Sequence, residues 1–124
     1  VKKLSLKITC RTVSENNVSE YWRVKYARKK LQYAAVLDAW QEAMKDIDDK
    51  AFTLPITVTL KRLSPQTMDG DNLQGALKAI RDKIASLLFP GLPPGVADGT
   101  KGLLWEYKQE HGPVGTVLVE IESA

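Results

Sequence analysis

Two aspartates, Asp69 and Asp71, stand on either side of Gly70 in the stretch SPQTMDGDN. Like charges this close repel one another unless something positive sits between them. Hard divalent ions such as Mg²⁺ take carboxylate oxygens and keep several of their own waters, so a paired aspartate turn suits such an ion. In extended backbone, residues i and i+2 project to the same side, and both carboxylates can then face one ion. A third acid is available in the segment VADGTKG, as Asp98. The alternative is that Asp69 and Asp71 only make a turn and cap a helix, positions that aspartate commonly fills.

The residues that follow add to the first reading. An amphipathic helix is expected from Asn72 to Leu88, with Leu73, Ala76, Leu77, Ile80, Ile84, Leu87 and Leu88 as its apolar stripe. At ~100° per residue, Lys78 lies about 20° to one side of Asp71 around the axis and Asp82 about 20° to the other. Arg81 and Lys83 point away from that face by roughly 80° to 120°. Carboxylates with a lysine on the same face fit phosphodiester hydrolysis, in which a metal activates water and the lysine offsets charge on the phosphate.

Other chemistries lack their residues. The single histidine, His111, lies in a Gly-Pro turn with no nucleophile nearby in the sequence, and zinc sites want clusters of Cys and His. No GxxxxGK[ST] phosphate loop occurs. An EF-hand counted from Asp69 would place Leu73, Gln74 and Ile80 at its fifth, sixth and twelfth positions, and none of them fits.

The elements that must position these residues follow from pattern. Leu4, Leu6, Ile8 and Cys10 alternate with polar residues, as in a strand with one buried face. Ser19 is a candidate N-cap for a long helix from Glu20 to Asp48, a stretch without Gly or Pro. Its expected buried residues are Val24, Ala27, Leu31 and Ala34, then Tyr33, Leu37, Trp40, Met44 and Ile47. Leu54, Ile56, Val58 and Leu60 form a second strand, with Pro55 at its start. After the second helix, Pro90 to Gly102 is a loop, and two closing strands, around Trp105 and Tyr107 and over TVLVEI, are expected to pair as an antiparallel hairpin. The order is β-α-β-α-β-β. The class is α/β (α+β): one small domain, residues 1–124, with two helices packed on one face of a mixed four-stranded sheet.

The totals agree with a soluble domain. The chain has 124 residues, 44% hydrophobic and 27% charged, with a net charge of +3. No run approaches the ~20 apolar residues of a membrane span, and the basic start VKKLSLKITCR alternates rather than forming the apolar core of a signal peptide. The single cysteine, Cys10, reads as a small buried hydrophobe in a reducing compartment, so a cytoplasmic location is expected. Positive charge is concentrated in WRVKYARKK, where Arg23, Lys25, Arg28, Lys29 and Lys30 have no acid among them. That run is either a phosphate-contacting surface or a solvated helix face.

The stretch MDGDNLQGALKAIRDKIASLLF, followed by VADGTKGLLWEYKQE, resembles the RusA family of Holliday junction resolvases, in particular its phage and prophage branch. The match runs through Asp69, Asp71, Asn72, Leu73, Ala76, Lys78, Asp82, Ile84, Ala85, Asp98, Trp105, Tyr107 and Gln109. The segment NNVSEYWR is similar to the Asn-rich segment before that family's first helix. The resemblance implies a small homodimeric endodeoxyribonuclease, dependent on Mg²⁺ or Mn²⁺, that binds four-way junction DNA and resolves it by paired nicking. It implies Asp69, Asp71 and Asp98 as the catalytic metal ligands and the run from Arg23 to Lys30 as a DNA-contacting surface. Two positions depart from it. Ala97 stands where the family often has the first of two aspartates, and Gly75 stands where a catalytic lysine is usual, a role for which Lys78 is then the candidate. A junction-binding protein that has lost cleavage is the alternative, and a small domain whose aspartates only cap a helix is a third reading.

Overall fold

The computed structural model describes residues 2–15, 21–49, 51–93 and 95–124. The alternation that marks the first strand becomes β1 (Lys2–Thr9), where Leu4, Leu6 and Ile8 turn inward and Lys3, Ser5 and Lys7 turn outward. β2 (Ile56–Leu63) buries Ile56, Val58 and Leu60. β3 (Leu103–Glu110) and β4 (Thr116–Ser123) complete one mixed sheet. Two helices, α1 (Trp22–Met44) and α2 (Gly70–Leu88), cover its apolar side. The element order is β-α-β-α-β-β, with one extra 3₁₀ turn, Ala97–Gly99, between α2 and β3.

The strand order is β1-β4-β2-β3, so the closing strands are not a hairpin. β4 lies between β1 and β2 and runs antiparallel to both, while β3 is an edge strand parallel to β2. Side chains explain this. β4 carries Val117, Val119 and Ile121 into the core, as a central strand must. β3 sets Glu106, Lys108 and Glu110 on its outward face, and charges suit an edge. The β2–α2–β3 passage is a crossover, the connection that parallel strands require. The short link from β3 to β4 steps across the end of β2, where the Ser64 N–H donates to the Glu110 carbonyl at 3.1 Å and the Gly112 N–H donates to the Ser64 carbonyl at 3.3 Å.

α1 departs from expectation in its first half. Val24, Ala27, Leu31 and Ala34 are exposed, Leu31 to 71%, rather than buried. The inward residues there are polar. Arg28 pairs with Glu15 through two hydrogen bonds of 2.8 and 2.9 Å, and Gln32 donates to the Arg11 carbonyl at 2.7 Å. This half of the helix is therefore tied to the segment after β1 by hydrogen bonds. Only from Ala35 and Val36 onward, with Trp40 and Met44, does α1 join the hydrophobic core. Its N-cap is Tyr21; Ser19 lies outside the described residues. Among the described residues no helix is long and apolar enough to cross a membrane.

Candidate active site

One side chain clamps the turn that delivers Asp69. Gln109, on the inward side of β3, accepts from the Met68 N–H at 2.8 Å and donates to the Met68 carbonyl at 2.8 Å. Both backbone groups of the preceding residue are thereby held by the sheet edge. The Asp69 carbonyl accepts from the Leu73 N–H at 2.8 Å, the first helical bond of α2. α2 therefore begins at Gly70, two residues before the expected Asn72. Asp69 is its N-cap in extended backbone, and Asp71 already belongs to its first turn. The two aspartates are not same-side neighbours of an extended segment, because the helix starts between them. Asp69 makes no capping hydrogen bond with its side chain, and both residues are exposed. The partial positive charge of a helix start favours carboxylates there.

Asp98 sits in the 3₁₀ turn and is taken up by a network from α2 and β3. Arg81 donates from Nε to Asp98 Oδ2 at 3.0 Å and from Nη1 to the Tyr107 hydroxyl at 2.8 Å. The guanidinium also lies over the Trp105 ring, 4.8 Å from its centre. Trp105 in turn donates its indole N–H to the Asp98 carbonyl at 3.0 Å. Partial burial works against the charge of Arg81, but Tyr107 and Asp98 outweigh it and raise its pKa above the ordinary arginine value. Ala97, beside Asp98, is fully buried, so a carboxylate at that position would be desolvated in the core.

An oxygen-only set of Asp69, Asp71 and Asp98 suits Mg²⁺ or Mn²⁺ in kind. Among the described residues, however, no three acidic side chains are grouped closely enough to hold a metal. Asp98 is held by Arg81 well along α2, whereas Asp69 and Asp71 stand at its start.

Lys78 occupies the middle ground. Its Nζ lies 3.3 Å from Asp82 Oδ1, and the lysine side chain is 64% exposed while Asp82 is 7% exposed. A cleft of about 340 Å³ is bounded by Gln74, Gly75, Lys78, Arg81, Asp98 and Tyr107. A second, of about 290 Å³, lies between the helices and is bounded by Glu15, by Lys25, Tyr26 and Lys29 of α1 and by Gly75, Lys78 and Asp82 of α2. Gly75 and Lys78 border both clefts, so the two lie side by side, and together they are termed the trough.

The basic run divides. Lys25 and Lys29 face the trough. Arg23 lies 5.3 Å from the Trp22 ring centre and Lys30 lies 5.2 Å from that of Tyr26, all on the exposed part of α1. Arg28 is 8% exposed and locked to Glu15, so its charge is used inside the protein. Arg81 is the site residue that the sequence pattern does not single out. The spacing Gln74, Lys78, Arg81 is a usable signal, because a long side chain tilts back toward the helix start and reaches the neighbouring face.

No protein-family model matches the chain, and no curated protein matches it.

Proposed function

We propose that the chain is a metal-dependent, structure-selective endodeoxyribonuclease that nicks four-way DNA junctions. The observation that carries this reading is the shared border of the two clefts. Lys78 stands between a cleft lined by Lys25 and Lys29, whose two carboxylates, Glu15 and Asp82, are paired with Arg28 and Lys78, and the cleft that holds Asp98. A phosphodiester backbone is the polyanion that such a trough accommodates, and lysines at its entry hold phosphates by charge without reading sequence.

Asp69, Asp71 and Asp98 are the oxygen donors such an ion would use, and Asp98 would have to leave Arg81 and draw toward the start of α2 to share it with the other two. When bound, such an ion supplies a water of lowered pKa and neutralises charge on the phosphoryl group. The chain's own residues supply the rest. Gln109 fixes the Met68 backbone and with it the start of α2. Lys25 and Lys29 hold the strand against α1. Lys78, which lines the same clefts as Gly75, offsets negative charge as it builds on the phosphoryl oxygens. Arg81 positions Asp98 and keeps Tyr107 and Trp105 ordered around it. Two copies of the chain would give the paired nicks that resolution needs.

Two observations favour a second reading, junction binding without cleavage: Gly75 carries no side-chain cation, and Asp98 is already paired with Arg81. A labelled four-way junction and a linear duplex of the same length, each incubated with and without Mg²⁺, separate the two. Paired nicks in the junction alone, dependent on Mg²⁺, support the endonuclease. Retention of junction in EDTA with no nicks in Mg²⁺ supports the binding protein.

A further inference from the structure

The start of α1 exposes large rings in a place rich in positive charge. Tyr21 and Trp22 are each 62% exposed and Tyr26 is 56% exposed. Trp22 and Tyr26 are four residues apart, so they share one face of the helix. Their spacing along the axis is about 6 Å, roughly twice the 3.4 Å rise of stacked bases. Lys29, Lys30 and Tyr33 continue the stripe, with Lys29 5.5 Å from the Tyr33 ring centre and Lys83 of α2 5.9 Å from it. Tyr26 also borders the trough that Lys25, Lys29 and Lys78 line.

From this juxtaposition we infer that the Trp22–Tyr26 face of α1 is a stacking platform for unpaired bases of single-stranded nucleic acid. The cations beside the rings take the phosphates of that strand. Charge complementarity selects this occupant. An apolar protein partner would have to desolvate Arg23, Lys25, Lys29 and Lys30, whereas a single strand brings one phosphate per base to meet them and a π-face for each ring. Stacking of this kind tolerates any base sequence, which fits a surface with rings and lysines and few acceptors. A branched DNA offers unpaired or easily unpaired bases at its crossing point, so the platform adds strand selection to the trough. The inference rests on the reading of the chain as a DNA-binding protein but not on its cutting DNA.

The test uses fluorescein-labelled dT20 and a 20-base-pair duplex in EDTA, so that cleavage plays no part. Wild-type protein binds dT20, and binding quenches tryptophan fluorescence; the quench is lost in Trp22→Phe although Trp40 and Trp105 remain. Trp22→Ala combined with Tyr26→Ala weakens dT20 binding about tenfold or more and duplex binding less than twofold. The combination Trp22→Phe and Tyr26→Phe restores the affinity. The inference is overturned if the double alanine protein binds dT20 as wild type does, or if its loss is equal on duplex. It is also overturned if the wild type is a dimer that the alanine pair dissociates, which would make the stripe a protein interface. Failure of junction nicking in Mg²⁺ leaves these results standing and removes only the catalytic reading.

Discussion

Arg81 Nε lies 3.0 Å from Asp98 Oδ2, joining the second half of α2 to the 3₁₀ turn that precedes β3. The pair is largely shielded, with side-chain exposures of 26% and 14%. It places a permanent cation against the acid that the proposed reaction assigns to a metal. Two positive charges then compete for one carboxylate.

Removing the arginine charge should therefore favour the ion. Arg81→Gln keeps a donor for Tyr107 or Asp98 while deleting the charge. Titration calorimetry should show Mn²⁺ binding severalfold more tightly in this variant than in the wild type. Unchanged or weaker binding would mean that Asp98 does not serve the ion.

Lys78 separates catalysis from packing. Its ion pair joins an exposed lysine to Asp82, whose side chain is only 7% exposed, so losing the lysine leaves a buried carboxylate without its cation and costs more than the pair's own Coulomb energy. Lys78→Ala should therefore lower the melting temperature, and Lys78→Arg, which keeps the charge, should not. The nicking rate should fall by roughly 10²–10³, the size expected for loss of an electrostatic stabiliser, with a much smaller loss of junction affinity. A variant that cuts normally would reduce Lys78 to its salt bridge.

The basic run should divide by function as it divides in space. Lys25→Ala with Lys29→Ala should flatten the salt dependence of junction binding by about two in the log–log slope, near 0.9 for each phosphate that is no longer neutralised. Glu15→Ala should instead lower stability by about 1.5–3 kcal/mol, by unpairing a buried Arg28 hydrogen bond to charge, with the salt slope intact. Chemical denaturation and binding titrations at low and moderate salt distinguish the two.

What is legible in the sequence is local. Period-two alternation locates β1, β2 and β3, and the 3–4 spacing of Leu73, Leu77, Ile80 and Ile84 locates α2 and its buried face. Pairing is not legible. A short Gly-Pro link between two strands reads as a hairpin, and only the charged face of β3 against the apolar β4 hints that β2 comes between them. The buried side of α1 is hidden from pattern because hydrogen bonding decides it: Arg28 and Gln32 turn inward to meet Glu15 and the Arg11 carbonyl, leaving Val24 and Leu31 outside. At the site, the residue types are visible, but Gly70 starts α2 earlier than pattern suggests. One helix boundary therefore changes how Asp69 and Asp71 face each other. Arg81 escapes notice because an angle around the axis ignores the reach of a long side chain.

Cys10 offers a check on the fold just after β1. Burial pushes its thiol from the usual 9.0 up to about 11. The neutral thiol is favoured in the folded state, so its contribution to stability is complete below pH 9 and is lost as the pH rises through about 11. At pH 8 the folded protein has about a hundredfold less thiolate than the unfolded chain, as a shift from 9.0 to about 11 requires. Higher intrinsic nucleophilicity returns part of that, leaving reaction with a disulfide reagent roughly tenfold slower before access is considered. Equal rates in native and denatured protein would contradict the packing of Cys10 against the core.

If Asp71 serves a metal-dependent cutting site, the single-turnover nicking rate of a four-way junction in Mg²⁺ should separate wild type from Asp71→Asn, with junction affinity measured in parallel. Paired nicks are expected from the wild type, none in EDTA, and a rate at least ~10²-fold lower for Asp71→Asn, with junction binding kept or tightened because a negative charge facing phosphate is gone. An Asp71→Asn protein that nicks at the wild-type rate, or a wild type that binds the junction and leaves it intact in Mg²⁺, would contradict a cutting site there.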